Sequence, residues 1–149
     1  MSAPTLLVLH AAATWFMTGV IWIVQGVHYP LFSYADRTTY PAFADAHGRL
    51  ITFIVGPAML AELVTGLLLL ADRPPALSSR AALAGAALIG IIWASTALLQ
   101  VPMHAQLAQG YDARAHGWLV GSNWVRTIAW TARSLLVGWV LLRTLQSAS

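Results

Sequence analysis

Long apolar runs separated by short polar clusters run the length of the chain. Residues 6–27 carry no charged side chain. About 20 helical residues cross a bilayer core, so this run predicts a transmembrane helix. His28-Tyr29-Pro30 is expected to end it, because proline disfavours helix in the residue before it. Residues 33–46, with Asp36, Arg37 and Asp45, read as the longest loop. Pro41 suits the first turn of a helix running through His47 into a second span, 50–71, where Gly56-Pro57 predicts a kink. Asp72-Arg73-Pro74-Pro75 is a stop, and Ser78 or Ser79 can cap the next helix. The third span is 81–99. Its Gly85, Gly90 and many alanines let a neighbouring helix approach closely. Residues 101–117 form a second polar excursion around Gly110-Tyr111-Asp112, and 118–142 form the last span, closed by Arg143. The pattern predicts one all-α domain over 1–149, an integral membrane bundle of four transmembrane helices.

Four spans put both termini on one side with the Arg73/Arg80 loop. His28, His47, His104 and His116 then fall on the other. Counting Arg73, Arg80 and Arg143 against Arg37, Arg49 and Arg114 gives a tie. The two arginines flanking the shortest loop favour cytoplasmic termini, in a bacterial inner membrane. Residues 1–5 hold no basic side chain and no small-residue cleavage site follows, so the first span is expected to remain as a helix.

Composition supports the bilayer reading. Of 149 residues, 58% are hydrophobic and 9% charged, against about 25% charged in ordinary soluble domains. The mean hydropathy is +0.69. The net charge of +3 comes from dispersed arginines rather than a basic run. Nucleic acid is therefore not an expected partner, and anionic lipid headgroups are. Cysteine is absent, which excludes thiolate chemistry and sulfur-ligated metal. Lysine is absent too, which excludes Schiff-base chemistry. No glycine-rich phosphate loop is present.

Polar residues inside a span face the bundle interior by default, and here they line up. His10, Thr14, Thr18, Ile21, Gln25 and His28 step by three or four along the first span. Trp93, Thr96, Gln100 and His104 do so in the third, provided Pro102 kinks the helix rather than ending it. Asn123, Arg126, Trp130 and Arg133 share a face of the fourth, and the second contributes Glu62 and Thr65. Glu62 lies as many residues from Gly48 as Arg133 lies from Leu119, which puts the two at similar depth and predicts a buried ion pair. His10 enters from the other side to within about a turn of that level. At the loop side, His28, His47 and His104 come from three helices, with Gln100, Asn123 and Arg126 beside them. A structural lock is the plain alternative for Glu62 and Arg133, and interfacial hydrogen bonding is the plain alternative for any one histidine. His116 reads as a surface residue, and the seven tryptophans as interfacial anchors or packing.

Pro102-Met103-His104 before Leu107, followed by Asn123-Trp124-Val125-Arg126-Thr127, resembles the bacterial and fungal four-helix membrane family that includes anthrone oxygenases. Such a family places a proline-containing segment after the third helix and an Asn-x-x-Arg-Thr element at the start of the fourth. The close resemblance covers about 30 residues, and it implies a site role for Asn123 and Arg126 and oxidation of a hydrophobic substrate. His104 departs from it, since asparagine is the residue expected there. The haem-binding protoporphyrinogen oxidase type is set apart by a span-borne lysine that this chain lacks.

These readings converge on a small membrane oxidoreductase acting on a lipophilic small molecule. Imidazole suits copper, iron and zinc, so His28, His47 and His104 are the candidate ligands of copper, iron or a haem. Gln100 is the candidate for cofactor contact. Asn123 and Arg126 would hold a substrate oxygen or orient a ligand. The competing reading is a carrier or channel with a polar path through His10, Glu62 and Arg133. Four short helices enclose little volume, so that reading calls for a homo-oligomer. A structural accessory subunit is the third.

Overall fold

The computed structural model describes residues 3–147, so the outermost residues of the 1–149 domain lie outside the described residues. Four long helices make up the fold: α1 (Ala3–Tyr34), α2 (Tyr40–Ala71), α3 (Ser79–Leu107) and α4 (Ala113–Gln146). Short loops at 35–39, 72–78 and 108–112 join them, so both ends of the described chain lie at one end of the bundle. α1 packs against α2 and α4, and α3 packs against α4. The core holds Met17, Ile21, Phe32, Tyr40, Leu107, Leu119 and Trp130, all nearly inaccessible.

The outer surface is apolar as well: Phe53 is 81% exposed, Leu98 72% and Leu135 71%. Such a continuous apolar exterior would drive association in water, and it suits hydrocarbon. Length, composition and exterior together fit an integral membrane four-helix bundle.

The helices run further than the prolines suggest. α1 does not end at Tyr29-Pro30. Residues Val24–His28 form a π-helical turn in which the Tyr29 N–H bonds the Val24 carbonyl, and the chain stays helical to Tyr34. Thr96–Gln100 form a second π turn, two residues before Pro102, and α3 continues to Leu107. A proline lacks an N–H and its ring crowds the carbonyl of the preceding turn. The wider π turn just before each proline relieves both problems. The predicted loops contract accordingly, from 33–46 to 35–39 and from 101–117 to 108–112. α2 is helical through Pro57.

The loops are set by local side-chain bonds. Asp36 Oδ1 accepts from the backbone N–H groups of Thr38 (2.8 Å) and Thr39 (3.2 Å). These bonds, with the Thr38 hydroxyl first among them, hold its carboxyl below the usual carboxylate range. Ser78 Oγ caps α3 by accepting from Ala81 N–H at 3.3 Å. Gly110 turns the chain at φ +147°, and Asp112 caps α4 by accepting from Ala115 N–H at 2.6 Å. Two tryptophans clasp the α1–α4 seam from the lipid side: Trp22 Nε1 donates to Thr131 Oγ1 (3.1 Å) and Trp15 Nε1 to the Ser134 carbonyl (3.3 Å).

Candidate functional site

Two polar clusters lie inside the bundle. The deeper one joins all four helices. Arg133 of α4 forms an ion pair with Glu62 of α2, and both side chains are almost completely buried. Arg133 also donates to the Gly85 carbonyl of α3 and to His10 Nε2 of α1, the latter at 2.8 Å. Because the guanidinium can only donate, His10 Nε2 accepts, and its Nδ1–H donates to Thr65 Oγ1 at 2.8 Å. The Thr65 hydroxyl in turn donates to the Ala61 carbonyl at 2.7 Å. Gly66 makes the close approach possible. A Cβ there would stand 2.8 Å from Ile89 Cδ1 and 3.3 Å from the His10 ring. A cavity of about 50 Å³ adjoins His10 and Arg133.

The second cluster sits at the loop end, where the two π turns deliver it. His28 closes the first π turn and Gln100 the second, and each turn rotates the residues after it relative to an unbroken α-helix. His28 Nε2 and His47 Nδ1 share a hydrogen bond of 2.9 Å. The ring centroids of His28 and His47 are 4.7 Å apart, and those of His47 and His104 are 5.2 Å apart. His47 Nε2 is buried without a hydrogen-bond partner. His104 Nε2 lies 2.9 Å from the Tyr29 hydroxyl, and the Arg126 guanidinium interacts electrostatically with that same hydroxyl. The structure thus brings the three imidazoles together, with His28 Nε2 and His47 Nδ1 bonded to each other, His104 Nε2 bonded to Tyr29 and His47 Nε2 left open. Among the described residues, no three histidine or acidic side chains are already arranged around one metal-sized position.

Below the imidazoles, the amides form a tight network. Asn123 Nδ2 donates to Gln25 Oε1 (3.0 Å), which also accepts from Thr127 Oγ1 (3.3 Å), and Gln25 Nε2 donates to the Val120 carbonyl (3.2 Å). Arg126 donates to Asn123 Oδ1 at 3.3 Å, and its Nε has no partner. Among the described residues, the ion pairs go to His10, Arg49 and Arg133, so Arg126 is a guanidinium buried at 6% exposure without a carboxylate. Gln100 Nε2 donates to Ser122 Oγ (2.8 Å), while its Oε1 is buried and unpartnered.

Sequence reasoning missed Tyr29, which an aromatic position at a predicted helix end disguises as an interfacial anchor. It placed Gln25 on the inward stripe and Thr127 in a motif, without giving either a role. It also misread His116 as surface. The short 108–112 turn draws the start of α4 against α1, and half-buried His116 donates Nε2–H to the Tyr29 carbonyl at 2.8 Å. Its Nδ1 then accepts from the Tyr111 hydroxyl at 3.3 Å. Comparison of the chain with protein-family models, curated proteins and solved structures gives no match.

Proposed function

We propose that the protein is a small integral membrane oxidoreductase that works on a lipophilic substrate at the loop-end cluster, with a metal ion held by its imidazoles. The observation that carries this reading is the buried, unpartnered Nε2 of His47, flanked by two further imidazoles. Buried polar atoms are nearly always satisfied, and one left open costs about 1–3 kcal/mol. A ligand in the site removes that cost. Imidazole nitrogens ligate such ions at about 2.0–2.1 Å, so an ion on His47 Nε2 would draw in the His28 and His104 rings, whose centroids stand 4.7 and 5.2 Å from that of His47, from their present hydrogen bonds. His28 and His47 would hold the ion, and His104 would join by releasing Tyr29. The close spacing of the rings leaves no room for a porphyrin between them, which favours a single copper or iron ion over haem. Such an ion would supply the electron-transfer chemistry that these side chains lack.

The chain's own residues bind and orient. Asn123 and Arg126, buried at 0% and 6% exposure beneath the imidazoles, would orient a ligand histidine from behind. The Arg126 charge acts on the Tyr29 hydroxyl that meets His104 Nε2, so the guanidinium would help to fix that imidazole's position. The resemblance of Asn123-x-x-Arg126-Thr127 to the family of anthrone oxygenases points the same way. Gently solubilised protein should contain copper or iron, and His47→Ala should lose it. Metal-free protein that remains metal-free after incubation with either ion would overturn the proposal.

A further inference from the structure

His28 borders two depressions. On the lipid side, a groove of about 330 Å³ between α1 and α2 is lined by His28, His47, Phe43, Leu50, Ile51 and Ile54. Leu50 and Ile54 are more than half exposed, so the groove is open to the bilayer. On the loop side, a depression of about 480 Å³ is lined by His28 and Phe43 again, now with Tyr34, Asp36 and Thr39. The two share His28 and Phe43 and make one trough, apolar at its bilayer end and mixed at its loop end, where Asp36 and Thr39 stand among Leu31, Phe32 and Ala35. Its volume falls in the range of small-molecule sites. Asp36, held ionised by Thr38 and Thr39, stands at the loop end. A carboxylate there repels an anionic head group and tolerates a hydroxyl or carbonyl. The neighbouring Arg37 lies 3.4 Å above the Tyr111 ring rather than in the trough.

We propose that this trough is a lateral binding site for a single-chain amphiphile with an uncharged hydroxyl or carbonyl head. The head lies beside His28 and Asp36, and the tail runs along Leu50, Ile51 and Ile54. The assignment names the substrate class of the oxidoreductase site and rests on that reading for what happens to the head group. It also explains how a molecule dissolved in the bilayer reaches two imidazoles whose other sides are packed by protein.

A long-chain primary alcohol bearing a diazirine near its tail end tests this directly. The full chain in phosphatidylcholine nanodiscs is irradiated with the probe and the adducts are mapped by mass spectrometry. Adducts should concentrate on Leu50, Ile51 and Ile54, fall when unlabelled alcohol is added in excess, and drop several-fold in Ile51→Trp. If that variant fails to fold, Ala46→Leu narrows the same groove. The matching fatty acid should label the groove several-fold less than the alcohol. Labelling spread evenly to other lipid-facing positions such as Leu83 and Leu135 would show ordinary lipid only and overturn the proposal. So would equal labelling by the acid, or a groove shielded from both probes by a second copy of the chain. Repeating the map on chelator-treated protein separates the two readings. Trough labelling in a protein that never binds metal sustains this site and sinks the oxidoreductase, whereas bound metal with even labelling does the reverse.

Discussion

Replacing Glu62 by glutamine removes the one carboxylate that faces Arg133. The guanidinium would keep the Gly85 carbonyl and His10 Nε2 as acceptors, but its charge would be stranded among apolar side chains. Breaking a buried pair from one side costs about 3–5 kcal/mol. The two surviving hydrogen bonds argue for the lower end, about 3 kcal/mol. For a chain of this size, each kcal/mol moves the midpoint by roughly 2–4 °C, so Tm in detergent should fall by about 6–12 °C. Arg133→Gln should cost at least as much, because it strands Glu62 and leaves His10 Nε2 and the Gly85 carbonyl without their donor. With both changes the two amides can bond each other and no net charge stays buried, so the double variant should lose less than the sum by about 2 kcal/mol, within the usual range of pair coupling. Circular dichroism melts of the four proteins close the cycle. Additive losses, or a Glu62→Gln protein within about 0.5 kcal/mol of the parent, would refute the reasoning.

Three further outcomes follow from the same geometry. Asp45→Asn breaks the exposed Asp45–Arg49 pair, one helical turn apart, and should change stability by no more than about 0.5 kcal/mol in the same melts. Gly66→Ala should cost about 1–3 kcal/mol by overpacking, and Ile89→Val, which removes the atom that the new Cβ would strike, should restore most of it. His116→Ala should cost about 1 kcal/mol by freeing the Tyr29 carbonyl, where a surface histidine would have cost nothing measurable.

Much of this fold was legible because a bilayer imposes simple rules on sequence. Helix length and the inward stripe of polar residues placed four spans and aligned His10, Gln25, His28, Asn123, Arg126 and Arg133 toward one interior. The equal chain distances of Glu62 and Arg133 from the loop-side ends of α2 and α4 translate directly into equal depth. The errors share one cause. Pro30 and Pro102 break helices by local rules, and only the π turns before them, a feature of carbonyl geometry rather than residue type, carry the helix onward. That continuation moves Tyr29 from a helix end to the middle of the site, between His104 and Arg126. It also shortens the loops enough to bring His116 under α1. The His28–His47 bond was out of reach for a related reason, since side-chain rotamers at a helix junction follow from packing against Phe32, itself packed on Phe43, which no periodicity encodes.

The central claim is that His28, His47 and His104 hold a metal ion. Elemental analysis and an absorption spectrum of chromatographically pure protein, after loading with copper or iron and removal of free ion, test it most directly. The account predicts metal in proportion to chain, with occupancy falling sharply in His28→Ala, His47→Ala and His104→Ala while His10→Ala retains it. Protein that stays free of both metals, or occupancy indifferent to all three loop-end substitutions, would contradict it.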